Sequence, residues 1–248
     1  MMIRIALVVV GLMWLGLMAN VTLANVPKSF YQVAQQKVSV LHPNIAIDSI
    51  DVTPIKQMYA VKLSSGPLIY MHESGEYFFS GSLFKIEKNG YIDLTEMAGN
   101  GSRATQLAAI GRNDMIVFSP TLPLKTRGHV YIFTDVDCYY CQKMHEEVPA
   151  LNAQGIEVRY LAFPRAGVGS GTYKKMVSAW CAKEPTVALT RLKNKQSIEP
   201  SSCKNPVSDQ YNVGKSLGVS GTPAIVLADG TMIPGYQKAN QLIKSMGL

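Results

Sequence analysis

Two cysteines three positions apart, Cys138 and Cys141, are the residues of this chain best suited to chemistry. Tyr139 and Tyr140 separate them, and the apolar run Val130–Thr134, which predicts a buried strand, comes shortly before them. A cysteine that begins a helix lies beside unpaired N–H groups, which favour its thiolate. We therefore predict that Cys138 attacks disulfide sulfurs and that Cys141, one helical turn later, resolves the mixed disulfide.

Two other uses of this cysteine pair are weaker. A zinc site needs four ligands, but Cys181 and Cys203 form no second close pair, and His145 is the only histidine nearby in sequence. A static disulfide between Cys138 and Cys141 would close a ring too small to gain much from loop closure. We expect redox chemistry, with no metal and no cofactor.

The remaining cysteines, Cys181 and Cys203, pair by elimination. The loop they would close spans about 23 residues, for which chain entropy gives roughly 3.4 kcal/mol of stabilisation. The alternative is a second redox pair, but these cysteines lack the close spacing that makes exchange fast. We predict a structural disulfide.

The segment Gly218–Pro223 completes the predicted site. It precedes the apolar run Ala224–Leu227, and X-Pro bonds adopt the cis form more readily than other peptide bonds. A cis bond would turn the backbone polar groups of Thr222 toward the thiols, where they could pair with an extended substrate segment. Thr222 and Pro223 are therefore predicted to bind the substrate.

The elements around these residues predict an α/β sheet with a buried parallel core and an antiparallel end, closed by a hairpin across Asp229-Gly230. The first half of the chain predicts a helix from Ser29 to about Ser39 followed by strands, and its role is structural. Between the halves, two helical pieces interrupted at Gly99–Gly101 predict a connector.

Composition excludes several classes of protein. The chain has 248 residues, of which 47% are hydrophobic and 17% charged, so wholesale disorder is excluded, and no repeat appears. The net charge is +7, but the basic residues are scattered, with a modest concentration from Lys174 to Lys195. We interpret that concentration as a solvated face and expect no nucleic-acid partner.

The N-terminus predicts a secretory signal peptide. Arg4 precedes an apolar run from Ile5 to Met18, and Thr22-Leu23-Ala24 fits a cleavage site after Ala24. The alternative is a permanent membrane anchor, but the run of about 14 residues is shorter than the roughly 20 that a spanning helix needs. Cleavage would leave 23 basic and 17 acidic residues, and export would bring the cysteines into an oxidising compartment.

Four separated stretches resemble the DsbC/DsbG family of periplasmic thiol:disulfide interchange proteins, and a weaker match covers Gly75–Gly81. The four are Phe133–Asp135, Val158–Arg165, Trp180–Lys183 and Gly218–Pro223. The resemblance implies a thioredoxin-fold catalytic domain with a helical insertion (114–248), a linker helix (93–113) and an α+β, cystatin-like dimerisation domain (25–92), after the signal peptide (1–24).

The same resemblance implies a function and partners. It implies a periplasmic homodimer that rearranges incorrect disulfides in misfolded exported proteins, binds them in a chaperone-like way, and is kept reduced by the membrane reductase DsbD. Carried over by motif, Cys138 and Cys141 are the catalytic pair, Thr222-Pro223 is the cis-proline site, and Cys181 and Cys203 form the structural disulfide.

Two departures from the family pattern affect the predicted site. The usual dipeptide between the cysteines is Gly-Tyr, whereas here it is Tyr139-Tyr140, which puts a bulky side chain where substrate should approach. Asp137 stands where the family often has Thr. Its carboxylate should oppose the Cys138 thiolate by about 0.5–1 kcal/mol, nearly cancelling the helix contribution of about 0.3–1 kcal/mol. We thus expect a less acidic thiol, modulated by these three residues.

Other functions remain open on sequence alone. A thiol oxidase, or a DsbG-like sulfenic-acid reductase and chaperone, could use the same fold, because reduction potential and thiol pKa decide between them. A non-enzymatic chaperone or adhesion-type dimer with an incidental dithiol is a further alternative. We expect a disulfide isomerase.

Overall fold

A computed structural model of the chain describes residues 26–41, 43–64, 68–88, 90–121 and 123–248. The predicted signal peptide, residues 1–24, and its cleavage site lie outside these ranges. The chain divides into two compact units, with the division between Gly81 and Ser82.

The first unit is a helix packed on an antiparallel sheet. Helix α1 (Lys28–Leu41) buries Phe30, Ala34 and Val38, which lie four residues apart and so share one face. This face packs against apolar residues of a four-stranded sheet in which neighbouring strands follow chain order. The strands are β1 (Ile47–Val52), β2 (Met58–Leu63), β3 (Ile69–His72) and β4 (Phe78–Ser80).

The second unit contains the remaining regular elements. Its strands are β5 (Phe84–Glu87), β6 (Gly90–Asp93), β7 (Ile116–Phe118), β8 (Gly128–Thr134), β9 (Ile156–Ala162), β10 (Ala224–Leu227) and β11 (Met232–Pro234). Its α-helices are α2 (Leu94–Ala108), α3 (Tyr139–Glu146), α4 (Val148–Ala153), α5 (Gly171–Trp180), α6 (Pro185–Lys193), α7 (Val207–Ser216) and α8 (Ala239–Ser245). Strands β5 and β6 form a separate hairpin.

The main sheet of this unit has the order β11-β10-β8-β9-β7. Only β8 and β9 run parallel, and the strands on both sides of this pair are antiparallel to it. Alternate side chains of β8 point to opposite faces of the sheet and pack in different apolar clusters. Val130 and Ile132 belong to one cluster, whereas Tyr131 and Phe133 belong to the other. The sheet is therefore covered on both faces, as the α/β prediction requires.

The predicted interruption of the linker helix at Gly99–Gly101 is wrong, because α2 is continuous. Arg103 is buried and donates a hydrogen bond to the Gly230 carbonyl at 2.6 Å, and the Asn100 side chain donates to Thr231 at 3.0 Å. A helical glycine costs only about 1 kcal/mol. These contacts with the turn between β10 and β11 offset that cost, so the helix persists through its glycines.

Candidate active site

The two close cysteines lie at the junction of β8 and α3. Cys138 is the N-cap residue of α3, and Cys141 lies in its first turn. Both are free thiols, and their residues are 3% and 0% exposed. The apolar strand β8 ends in the interior shortly before the two cysteines. The start of α3 then places its unpaired backbone N–H groups beside the Cys138 sulfur.

The surroundings of Cys138 favour its thiolate. As a thiol, Cys138 donates a hydrogen bond to the carbonyl oxygen of Thr222 at 3.3 Å, but the other groups around it favour ionisation. A hydrogen bond from the Cys141 thiol lowers the pKa of Cys138 most; burial raises it, and the Thr222 hydroxyl and the charge of Arg165 lower it further. The resulting pKa is about 5. At neutral pH Cys138 is therefore a thiolate, the form that attacks disulfides.

Cys141 is held in the opposite state. Its Sγ accepts a hydrogen bond from the backbone N–H of Asp135 at 3.5 Å. Burial raises the pKa of Cys141 most strongly, and its donation of a hydrogen bond to Cys138 raises it further. One sulfur of the pair is thus ready to attack while the other keeps its proton.

Thr222 and Pro223 lie beside the dithiol. The peptide bond between them is cis, and the Thr222 carbonyl faces the Cys138 sulfur. The Thr222 hydroxyl is buried and has no conventional hydrogen-bond partner among the described residues. It is therefore free to donate to a thiolate at Cys138, in agreement with its lowering of that pKa.

Three charged residues at the site, Asp135, Arg165 and Lys193, were not predicted as site residues from the sequence. Asp135 is 2% exposed and accepts hydrogen bonds from the Arg165 backbone at 2.9 Å and its side chain at 3.2 Å. Lys193 was assigned to a solvated basic face, which is wrong, because it is 3% exposed. Its Nζ donates to Thr134 Oγ1 at 2.5 Å and to the Asp135 carbonyl at 3.0 Å. One local signal could have indicated the burial of Lys193, because this residue lies one helical turn after the buried Leu189.

The expected cancellation by Asp137 is also wrong. Its carboxylate pairs with Lys175 at 2.8 Å and accepts a hydrogen bond from Thr172 at 2.5 Å. Burial raises the pKa of Asp137, but these partners outweigh burial and lower it overall. Because Lys175 neutralises this charge, Asp137 does not prevent the fall in the pKa of Cys138.

The two tyrosines between the cysteines point outward. Tyr139 and Tyr140 are each 58% exposed and contact one another edge to face. A groove of about 600 Å³ is lined by Asp137 and Gln142 and continues between α5 and the segment after α6, without either tyrosine in its lining. The bulky dipeptide thus forms part of the surface around Cys138 rather than filling the interior.

The other cysteines are joined. Cys181 and Cys203 form a disulfide with an S–S distance of 2.07 Å and a Cα–Cα distance of 5.7 Å. The loop it closes contains α6 and therefore Lys193. Among the described residues no cluster of metal-ligating side chains occurs, and no helix has the length and apolar character to cross a membrane.

Comparison with known proteins places this geometry in a family. The chain is 34% identical to the Thiol:disulfide interchange protein DsbC of Escherichia coli over 223 residues, which cover 89% of this chain and 91% of that protein. It belongs to the DsbC family. The family's proteins from Salmonella typhimurium (35% identity, 78% of each chain) and Haemophilus influenzae (34%, 82% and 83%) are similarly related.

Domain and structure comparisons agree with membership of the DsbC family. Residues 24–96 match the disulfide bond isomerase protein N-terminal domain, and residues 121–247 match a thioredoxin-like domain. The crystal structure of a disulfide interchange protein from Neisseria gonorrhoeae is similar in fold to part of this chain (TM-score 0.50, 24% identity, 56% of this chain and 96% of that one). A linker-deletion variant of Proteus mirabilis ScsC is similar (0.51, 18%, 61% and 82%).

Family membership settles the activity at the level of reaction type. The chain is a thiol–disulfide oxidoreductase that acts as a disulfide isomerase on a thioredoxin fold, and the oxidase alternative is not favoured. The N-terminal domain supports the homodimer of the DsbC family. Members of this family are periplasmic.

Proposed function

We propose that Cys138 is the attacking thiol of the isomerase and Cys141 its resolving thiol. The observation that carries this assignment is the opposite acidity of two adjacent sulfurs: the pKa of Cys138 is about 5, whereas that of Cys141 is raised. The Cys138 thiolate attacks a client disulfide, forms a mixed disulfide and releases one client thiolate. That thiolate attacks another client disulfide, and the last exchange regenerates Cys138.

Thr222 and Pro223 bind the client beside Cys138 in this proposal. The backbone of Thr222 faces the attacking sulfur, so a client segment that pairs with this backbone would bring its disulfide within reach. Tyr139 and Tyr140 supply an exposed aromatic surface next to it. Cys181 and Cys203 serve as a structural disulfide and take no part in exchange.

The partners and the maturation of the protein belong to the same proposal. Misfolded exported proteins with incorrect disulfides are the clients, and the membrane reductase DsbD returns the dithiol to its reduced form. The signal peptide is removed after Ala24. The mature chain divides into a dimerisation domain (25–92), a linker helix (93–113) and a catalytic domain (114–248).

A trapping experiment tests the roles of the two cysteines. The reduced Cys141→Ser variant should accumulate a covalent adduct with a scrambled multi-disulfide protein, because the resolving sulfur is missing. The Cys138→Ser variant is the matched control and should form none. Adducts that form through Cys141 when Cys138 is absent, or no adduct with either variant, would contradict the assignment. Non-reducing gels and mass spectrometry of the linked peptides identify the sulfur.

A further inference from the structure

Lys193 is a buried cation that the exchange reaction described above does not use. It ends helix α6, and its ammonium group donates only to the neutral oxygens of Thr134 and Asp135. None of the ion pairs found in the described parts of the chain includes it. A buried ammonium without a carboxylate partner costs free energy, so a purely structural role would be better served by an apolar side chain.

The position of Lys193 connects it to the second sulfur. Its Nζ binds the carbonyl of Asp135, and the N–H of the same residue donates to Cys141 Sγ. The positive charge of Lys193 acts on Cys141, whereas Cys138 responds mainly to Arg165 among the nearby cations. Both cations interact with both sulfurs, but the buried Lys193 acts more on Cys141 and the half-exposed Arg165 more on Cys138.

The other titratable or charged side chains that face Lys193 carry no positive charge. The titratable or charged side chains that face it are Asp135 and Asp137 before α3, Cys138, Cys141 and His145 on α3, and Tyr160 on β9. Burial and then the charge of Lys193 lower the pKa of His145 to about 4, so this imidazole is neutral. It bonds Tyr160 and Thr190 rather than the thiols.

We propose that Lys193 is a positioning residue for the resolving step, in which its buried ammonium stabilises the thiolate of Cys141. In that step Cys141 loses its proton to solvent, and its sulfur attacks the Cys138 sulfur of the mixed disulfide. The bond between Cys138 and the client sulfur breaks, and the client leaves as a thiolate. Over the two exchanges together, the client disulfide gains two electrons and becomes two thiolates, and the enzyme dithiol loses two electrons and becomes a disulfide. This inference rests on the roles proposed above for Cys138 and Cys141.

A two-phase reaction with Ellman's reagent separates the two steps in the full mature chain. Attack by reduced Cys138 releases one thionitrobenzoate, and resolution by Cys141 releases the second; the Cys141→Ser variant, which lacks the second phase, identifies it. Lys193→Met removes the charge and the hydrogen bonds, whereas Lys193→Gln keeps an amide donor for Thr134 and Asp135. Lys195→Met removes an equal charge from an exposed position two residues away.

Both Lys193 variants should slow the second phase by roughly tenfold at neutral pH and leave the first within about twofold, because the lost charge acts on Cys141. Lys195→Met should match the wild type in both phases. A second phase that stays within twofold of the wild type in Lys193→Gln would overturn the proposal, since hydrogen bonding alone would then suffice. If Lys193→Met does not fold, the Gln variant carries the test. A missing first phase would instead contradict the assignment of Cys138.

The pH dependence distinguishes charge from scaffolding. Burial lowers the pKa of Lys193 to about 8, although the charges of Cys141 and Asp135 oppose this. The second-phase advantage of the wild type over Lys193→Gln should therefore shrink as the pH rises through about 8, where Lys193 loses its charge. A structural contribution predicts a ratio that does not change with pH, and that result would contradict the proposal.

Discussion

At the scale of single residues, the reactivity of Cys138 depends on the hydrogen-bond donors around one sulfur. Because a thiolate accepts hydrogen bonds and a thiol is a weak donor, every donor aimed at Cys138 favours ionisation. The Cys141 thiol and the Thr222 hydroxyl are two such donors. Their removal should weaken the nucleophile without disturbing the fold.

The Thr222→Val variant tests the contribution of the hydroxyl. Valine has a similar shape but no donor, so the pKa of Cys138 should rise above its value of about 5. The pH profile of Cys138 alkylation reports this change: reactivity appears as the pH rises through the pKa, and the midpoint should move to higher pH in the variant. Thr222→Ser, which keeps the hydroxyl, should retain the wild-type midpoint. An unchanged midpoint in the Val variant would show that the hydroxyl does not serve the thiolate.

Asp137 and Lys175 provide a second test of local charge. Asp137→Thr removes a carboxylate and leaves Lys175 unpaired, so the pKa of Cys138 should fall slightly, whereas Lys175→Met should raise it. The double variant should return close to the wild type, because the charges of this pair compensate each other. Titration of the thiolate absorbance measures all four proteins. A rise in Asp137→Thr would contradict the idea that the ion pair is a small, self-cancelling influence.

At the scale of elements, helix α2 is fixed to the turn between β10 and β11 by close backbone contact. A Cβ at Gly230, where φ is +88°, would lie 1.9 Å from the carbonyl oxygen of Asn100. Gly235 has a similar φ of +82°, but a Cβ there would meet nothing within 4 Å. The two glycines share the left-handed backbone and differ in the space around them.

This difference predicts unequal effects of two alanine substitutions. Gly235→Ala should cost about 1 kcal/mol of unfolding free energy, from backbone conformation alone. Gly230→Ala should cost more, about 2–4 kcal/mol, because α2 must also move away from the turn. Urea unfolding of the two variants measures the difference. Equal losses would mean that the contact between α2 and the turn contributes little to stability.

The sequence predicted those strands and helices whose hydrophobic or capping pattern lies within the element itself. The apolar runs at β8, β9 and β10 and the helix start at Cys138 were evident, since burial on both faces and capping leave local signals. Helix α2 was split wrongly because its glycines are supported by distant contacts with Gly230 and Thr231. The exposed strands β5 and β6 were missed because they carry no alternation of buried and exposed residues.

The same reasoning explains which part of the site the sequence could not supply. Cys138, Cys141 and the Thr222-Pro223 pair belong to short motifs whose chemistry can be read locally. Lys193 is placed by α6, far along the chain, and its burial depends on how that helix packs beneath α3. Leu189 and Leu192 on the same face of α6 are buried, so the helical period marks this face, but the residue type does not, because lysines are mostly exposed.

At the scale of the whole molecule, isomerisation requires that a client be held while its disulfides exchange. We expect the N-terminal unit, through dimerisation, to supply this function, because a monomer would hold its client only by the mixed disulfide and would lose it once that bond is exchanged. The mature chain should therefore refold a scrambled multi-disulfide protein faster than a fragment that begins at Ser82. The fragment should still react with a small disulfide at the wild-type rate. Equal refolding by both would contradict the need for the dimer.

Because Cys181 and Cys203 also form a disulfide, a reductant of this protein must distinguish between two disulfides. Electrons must reach an oxidised Cys138–Cys141 pair and spare a bond elsewhere in the same unit. Accessibility does not explain such a choice, because the residue Cys203 is exposed and Cys138 is 3% exposed. The choice follows from leaving-group quality: a thiolate whose parent pKa is about 5 departs far more readily than an ordinary cysteine. The acidity that makes Cys138 a nucleophile therefore also directs incoming electrons to it.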